Sequence, residues 1–86
     1  MHLVKLDIQR GMPGPSPVTP ALVGDVIWAH VTPGDALEHL RIRADGARMV
    51  IVLFIRAAAA EDALTAADAL VGRALTAPAL RGWQLL

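Results

Sequence analysis

Residues Leu37–Arg56 read LEHLRIRADGARMVIVLFIR, two β-rich runs on either side of Asp45-Gly46. An Asp-Gly pair between such runs is a strong hairpin signal, because a type I′ turn needs positive φ at both central residues. With Asp45 and Gly46 as the loop, Ala44 pairs with Ala47, Arg43 with Arg48, Ile42 with Met49, Arg41 with Val50, Leu40 with Ile51 and His39 with Val52. Paired residues share a face of the ribbon. One side then carries Leu40, Ile42, Met49, Ile51, Leu53 and Ile55. The other is mixed, with His39, Arg41, Arg43 and Arg48 beside Val50, Val52 and Phe54. The second run is apolar on both faces, the mark of an inner strand covered on both sides.

Working outward, His2–Arg10 alternates Val4, Leu6 and Ile8 with Lys5, Asp7 and Gln9, which predicts a half-buried strand. Gly11–Pro20 holds four of the six prolines and predicts a loop, partly polyproline II. Thr19-Pro20 has the form of a helix start, with Thr at N-cap and Pro at the first helical position. Beyond it Leu22, Val23, Val26, Ile27, Ala29 and Val31 fill an apolar helical arc that includes His30, with Asp25 and Trp28 opposite. Gly24 and four β-branched residues are poor helix material, which keeps a strand as the alternative; helix is the expected state. A second helix is expected over Ala58–Ala77. Its stripe is Leu64, Ala67, Val71, Ala74 and Leu75, joined by Ala63 and Leu70, with Glu61, Asp62, Thr65 and Arg73 opposite. Acidic residues in its first turn and Arg73 in its last suit the helix dipole. Gly82–Leu86 predicts a short closing strand.

Strand, helix, strand, strand, helix, strand is the βαββαβ pattern of the ferredoxin-like α+β sandwich. That fold implies a four-stranded antiparallel sheet with two helices on one face and the other face open. Residues 1–86 are read as one such domain, with the loop 11–20 inside it. A chain of this length buries roughly 60–65% of its unfolded surface.

Composition limits the function. The chain is 55% hydrophobic with a mean hydropathy of +0.48. Apolar surface in excess of a small core points to association, so a homo-oligomer, in the first place a dimer, is expected. Eight cations balance eight carboxylates, which gives no general attraction to nucleic acid or membrane. Neither is an expected partner. Cysteine is absent, which excludes disulfides, iron–sulfur clusters and thiolate zinc sites, and a cytoplasmic location is expected. MHLVKLDIQR lacks the apolar core and cleavage site of a signal peptide.

The candidate site is the open sheet face, with His39, Arg41, Val50, Val52 and Phe54, together with Trp28 on the first helix. Trp is enriched at interfaces. RNA recognition on such a face needs aromatics on both inner strands, and here only Phe54 qualifies. No catalytic, metal or cofactor residues are assigned. His2, His30, His39, Asp25, Asp35 and Glu38 show no metal-ligand spacing, and His30 on an apolar arc is read as a hydrogen-bonded, half-buried side chain. Pro17-x-x-Pro20 lacks a basic anchor and carries little as an SH3-type ligand. The leading expectation is a small non-catalytic accessory or regulatory module that self-associates and docks a partner protein or peptide. The alternative is a small-ligand binder or small enzyme of the dimeric α+β-barrel type, with His39, His30 and Arg41 around an anionic substrate. A nucleic-acid-binding module is a weaker one.

Overall fold

A computed structural model describes residues 1–11 and 17–86. Its elements are β1 (His2–Arg10), α1 (Pro20–Ala29), a 3₁₀ turn (Pro33–Asp35), β2 (Leu37–Asp45), β3 (Arg48–Ile55), α2 (Ala60–Ala74), a second 3₁₀ turn (Pro78–Leu80) and β4 (Trp83–Leu85). The fold is α+β: one four-stranded sheet of order β2-β3-β1-β4, every neighbouring pair antiparallel, and two helices. The polyproline II expectation falls mainly on residues 12–16, which lie outside the described residues. Pro20 is helical, so Pro17 and Pro20 do not belong to one extended segment.

Residues 20–29 are helix, not strand. Thr19 is extended and its Oγ1 accepts the Leu22 N–H at 3.1 Å, while Pro20 opens the first turn. That cap, with a phase that sends Val23 and Ile27 into the core, outweighs the poor propensity of Gly24 and the valines. Ala29, placed in the apolar arc by sequence, is exposed.

Helix α2 is shorter at both ends than the expected Ala58–Ala77. Ala59 is its extended cap, and the chain leaves the helix after Ala74 through a turn in which the Thr76 N–H and Oγ1 both donate to the Arg73 carbonyl. Its buried face is Ala63, Ala67, Leu70, Val71 and Ala74. Leu64, expected in that stripe, is instead 52% exposed. Alanines on the contact face let the helix sit close to the sheet, and Leu64 falls just beyond its rim.

The hairpin forms one pair further along than the sequence predicts. Asp45 pairs with Arg48, Ala44 with Met49, Arg43 with Val50, Ile42 with Ile51, Arg41 with Val52, Leu40 with Leu53 and His39 with Phe54. The loop is therefore Gly46-Ala47, not Asp45-Gly46. Only Gly46, at φ 63°, has the positive φ there. A type I′ turn would need a second such residue, whereas a type II′ turn needs only Gly at its first position. Each residue of β2 meets a partner displaced by two, and side chains alternate with period two, so the two faces keep their expected membership. A bulge at Glu38 separates Leu37, opposite Ile55, from His39.

β3 lies between β2 and β1. On its helix side Met49, Ile51, Leu53 and Ile55 are at most 3% exposed and join Val4, Ile8, Val23, Ile27, Leu70, Val71 and the α2 alanines in one core. Each large aliphatic side chain withdrawn there contributes about 1.5–3 kcal/mol.

Candidate functional site

Both helices pack on the same side of the sheet, through Val23 and Ile27 of α1 and the buried stripe of α2. Among the described residues no helix lies over the other side. Its side chains form cross-strand rows that follow from the pairing. His39, Phe54 and Leu3 form the first, Arg41, Val52 and Lys5 the second, and Arg43, Val50 and Asp7 the third. Asp45, Arg48, Gln9 and Gln84 close the face at the turn end.

Five of the six predicted site residues, His39, Arg41, Val50, Val52 and Phe54, share this face. The His39 and Phe54 rings are 5.2 Å apart between centroids and tilted by 57°. Arg41 Nε lies 3.5 Å from His39 Nε2, a long hydrogen bond between neighbouring rows. Leu3, not singled out in the sequence reading, extends the apolar strip and is 66% exposed. Val50, between Arg43 and Asp7, is only 5% exposed. What is left accessible is the band Leu3–Phe54–Val52 with a basic margin. Asp7 Oδ1 is buried without a hydrogen-bond partner, and its carbonyl accepts the Leu86 N–H at 2.9 Å.

Charge is unevenly placed. The face carries Lys5, Arg41, Arg43 and Arg48 against Asp7 and Asp45, whereas α2 exposes Glu61, Asp62 and Asp68. A chain of zero net charge thus has a basic sheet face and an acidic helix surface.

Trp28, the sixth predicted site residue, lies elsewhere. It is 46% exposed on α1 and lines a groove with Pro20, Gly24, Asp25, Leu40 and Ile42, on the helix side of β2. The two parts of the predicted site therefore flank the same edge strand from opposite sides. Nor are His30 and His39 brought together. His30 ends α1, donates from Nδ1 to the Val26 carbonyl at 2.8 Å, and offers its own carbonyl to Arg73 of α2, while His39 faces the open side.

One polar cluster escaped the sequence reading. The Asp35 carboxylate is buried, and its Oδ2 accepts from Thr32 N at 2.7 Å, Thr32 Oγ1 at 3.0 Å and Arg73 Nη2 at 2.6 Å. Burial pushes the Asp35 carboxyl up, but the Thr32 backbone bond and the Arg73 guanidinium outweigh it and hold the group below its ordinary value of 3.8. Thr32-x-x-Asp35 has the capping-box spacing that signals such an N-terminus. Its Arg73 partner stands 38 residues away. The cluster clamps the first 3₁₀ turn to α2; its role is structural. Arg56, by contrast, pairs with Glu38 of the bulge at 2.5 Å in solvent.

Among the described residues no three His, Asp or Glu side chains gather to hold a metal ion, and no helix is long and apolar enough to cross a membrane. No family model, curated protein or solved structure matches the chain.

Proposed function

We propose that this chain is a small, non-catalytic, cytoplasmic accessory or regulatory module that self-associates as a homodimer through the open face of its sheet and docks a partner protein or peptide. The observation that carries the reading is the band Leu3–Phe54–Val52, in which Leu3 is exposed and Phe54 and Val52 are half-buried. Apolar area left in water beside a completed core is stabilised by burial against a second surface, at about 25 cal/mol per Å². We read the fold, more finely, as the ferredoxin-like sandwich. Inner strands β1 and β3, with each helix connecting non-adjacent strands, support that assignment.

A ligand-binding role is separated from this one by thermal-shift screening of small anionic metabolites against wild type and His39→Gln. On the proposed reading no such metabolite stabilises the wild type strongly. His39→Gln instead weakens self-association by about 1 kcal/mol, the scale of one hydrogen bond. A metabolite that raises the wild-type melting temperature, and loses the effect in His39→Gln, would overturn the proposal in favour of an anion-binding site.

A further inference from the structure

The two edges of the sheet differ. β4 offers three residues, Trp83–Leu85, and short edge strands are a common protection against unwanted pairing. β2 spans nine, Leu37–Asp45, of which His39–Asp45 run in regular register beyond the Glu38 bulge; it contains no proline, and among the described residues no strand lies on its outer side. Outward-pointing N–H and C=O groups along such an edge form a template for an added strand.

The side chains of β2 restrict what can pair. Toward the open face it presents His39, Arg41 and Arg43 in succession, with Asp45 only at the turn end beside Arg48; toward the helices it presents Leu40 and Ile42, half-buried at the floor of the Trp28 groove, whose rim also carries Asp25. α1 comes close here: a Cβ built on Gly24 would lie 3.7 Å from Ile42 Cδ1. A strand laid along β2 would set alternate side chains beside the arginines and the intervening ones over Leu40, Ile42 and Trp28. A second copy of β2 is a poor occupant, because antiparallel pairing about a two-fold axis would bring the two arginine rows together on one face. Charge complementarity selects the opposite pattern.

We propose that the free edge of β2 binds an extended segment of a partner protein in which acidic and apolar residues alternate, by β-strand addition. Arg41 and Arg43 pair with its carboxylates, the Trp28 groove takes its apolar side chains, and the β2 backbone supplies the hydrogen bonds. This gives a location and a chemistry to the partner-docking half of the function proposed above, and does not depend on the self-association half.

The test uses the full chain and three end-blocked, fluorescently labelled nine-residue peptides: one alternating Glu and Val, one alternating Lys and Val, and the Glu–Val peptide N-methylated at alternate amides. Anisotropy titrations are run on wild type, on Leu3→Ser, on Trp28→Ala and on the double variant Arg41→Glu, Arg43→Glu. The Glu–Val peptide is expected to bind wild type on the order of tenfold or more tighter than the Lys–Val peptide, with the order reversed in the double variant. N-methylation should abolish binding, and Trp28→Ala should weaken it. Leu3→Ser, on β1 and two strands away from β2, should bind the peptide as wild type does, even where it self-associates less. Equal affinity for the acidic and basic peptides, or indifference to N-methylation, would overturn the proposal. So would tight binding of oligo-dT that Arg41→Glu, Arg43→Glu abolishes and Trp28→Ala leaves intact, which would assign the basic row to nucleic acid.

Discussion

Strand β3 meets different surroundings on its two sides. Toward the helices Met49, Ile51, Leu53 and Ile55 are sealed against α1, α2 and the inner side of β1. Toward the open face Val50 is withdrawn between Arg43 and Asp7, but Val52 and Phe54 are only half-buried, in line with Leu3, which is largely in water. The side-chain chemistry of β3 is nearly the same on both sides; what differs is whether the chain has an element to place over it. Two helices cover one face of a four-stranded sheet, and the described residues form no third layer over the other. An inner strand apolar on both faces is thus half explained by the monomer's own core, and the remainder points to association.

Substitutions on the two faces are the sharpest way to break that comparison. Ile51→Asp puts a charge without a partner at a fully buried position and should unfold the domain, since such burial costs several kcal/mol, about the whole stability of a small domain. Loss of the cooperative melting transition in circular dichroism checks it. Retained folding would place Ile51 outside the core and undo the face assignment.

A smaller effect is expected where the 3₁₀ turn is clamped to α2. Asp35→Asn should cost about 1–2 kcal/mol, discounted because the Arg73 side chain is 42% exposed. The sign with pH follows from the lowered Asp35 value. A carboxylate whose folded pKa lies below its unfolded one stabilises the fold above the unfolded value of 3.8, and that contribution is lost as pH falls through the folded value. Chemical denaturation from pH 6 down to about pH 2 should show wild type and Asp35→Asn converging below pH 3.8. Parallel curves would contradict the clamp.

The smallest effect belongs to the open face. Arg43→Ala, exposed beside Val50, should change stability by no more than about 0.5 kcal/mol. A melting temperature lowered as far as in a core variant would mean that this face is covered within the monomer.

How much of this was legible in the sequence depends on the range of the signal. The hairpin, both helices and the membership of the two sheet faces follow from periods of two and 3.6 residues, which are local. The exact pairing did not. Asp45-Gly46 has the composition of an I′ loop, but only Gly46 adopts positive φ, and the loop moved to Gly46-Ala47. A displacement of two leaves every side chain on its side, so the site residues on β2 and β3 were grouped correctly despite the wrong partners. Leu64 was misplaced for a different reason. On a helix whose buried face is largely alanine, one leucine at the rim outweighs the true stripe in hydropathy. Asp35 and Arg73 could not be joined from sequence, because nothing local in either residue announces a partner across 38 positions. Trp28 was recognised as exposed, but its separation from the open face depends on how α1 crosses β2, which the sequence does not encode locally.

The central claim is that the open face, through Phe54, is where one copy meets another. Sedimentation equilibrium of wild type and Phe54→Glu across a micromolar concentration series, with circular dichroism on the same samples, tests it most directly. The expected result is a wild-type mass above the 9.1 kDa of one chain, falling to the single-chain mass in Phe54→Glu with the fold unchanged. A wild type that stays at the single-chain mass throughout, or a folded Phe54→Glu that associates as strongly as wild type, would contradict it.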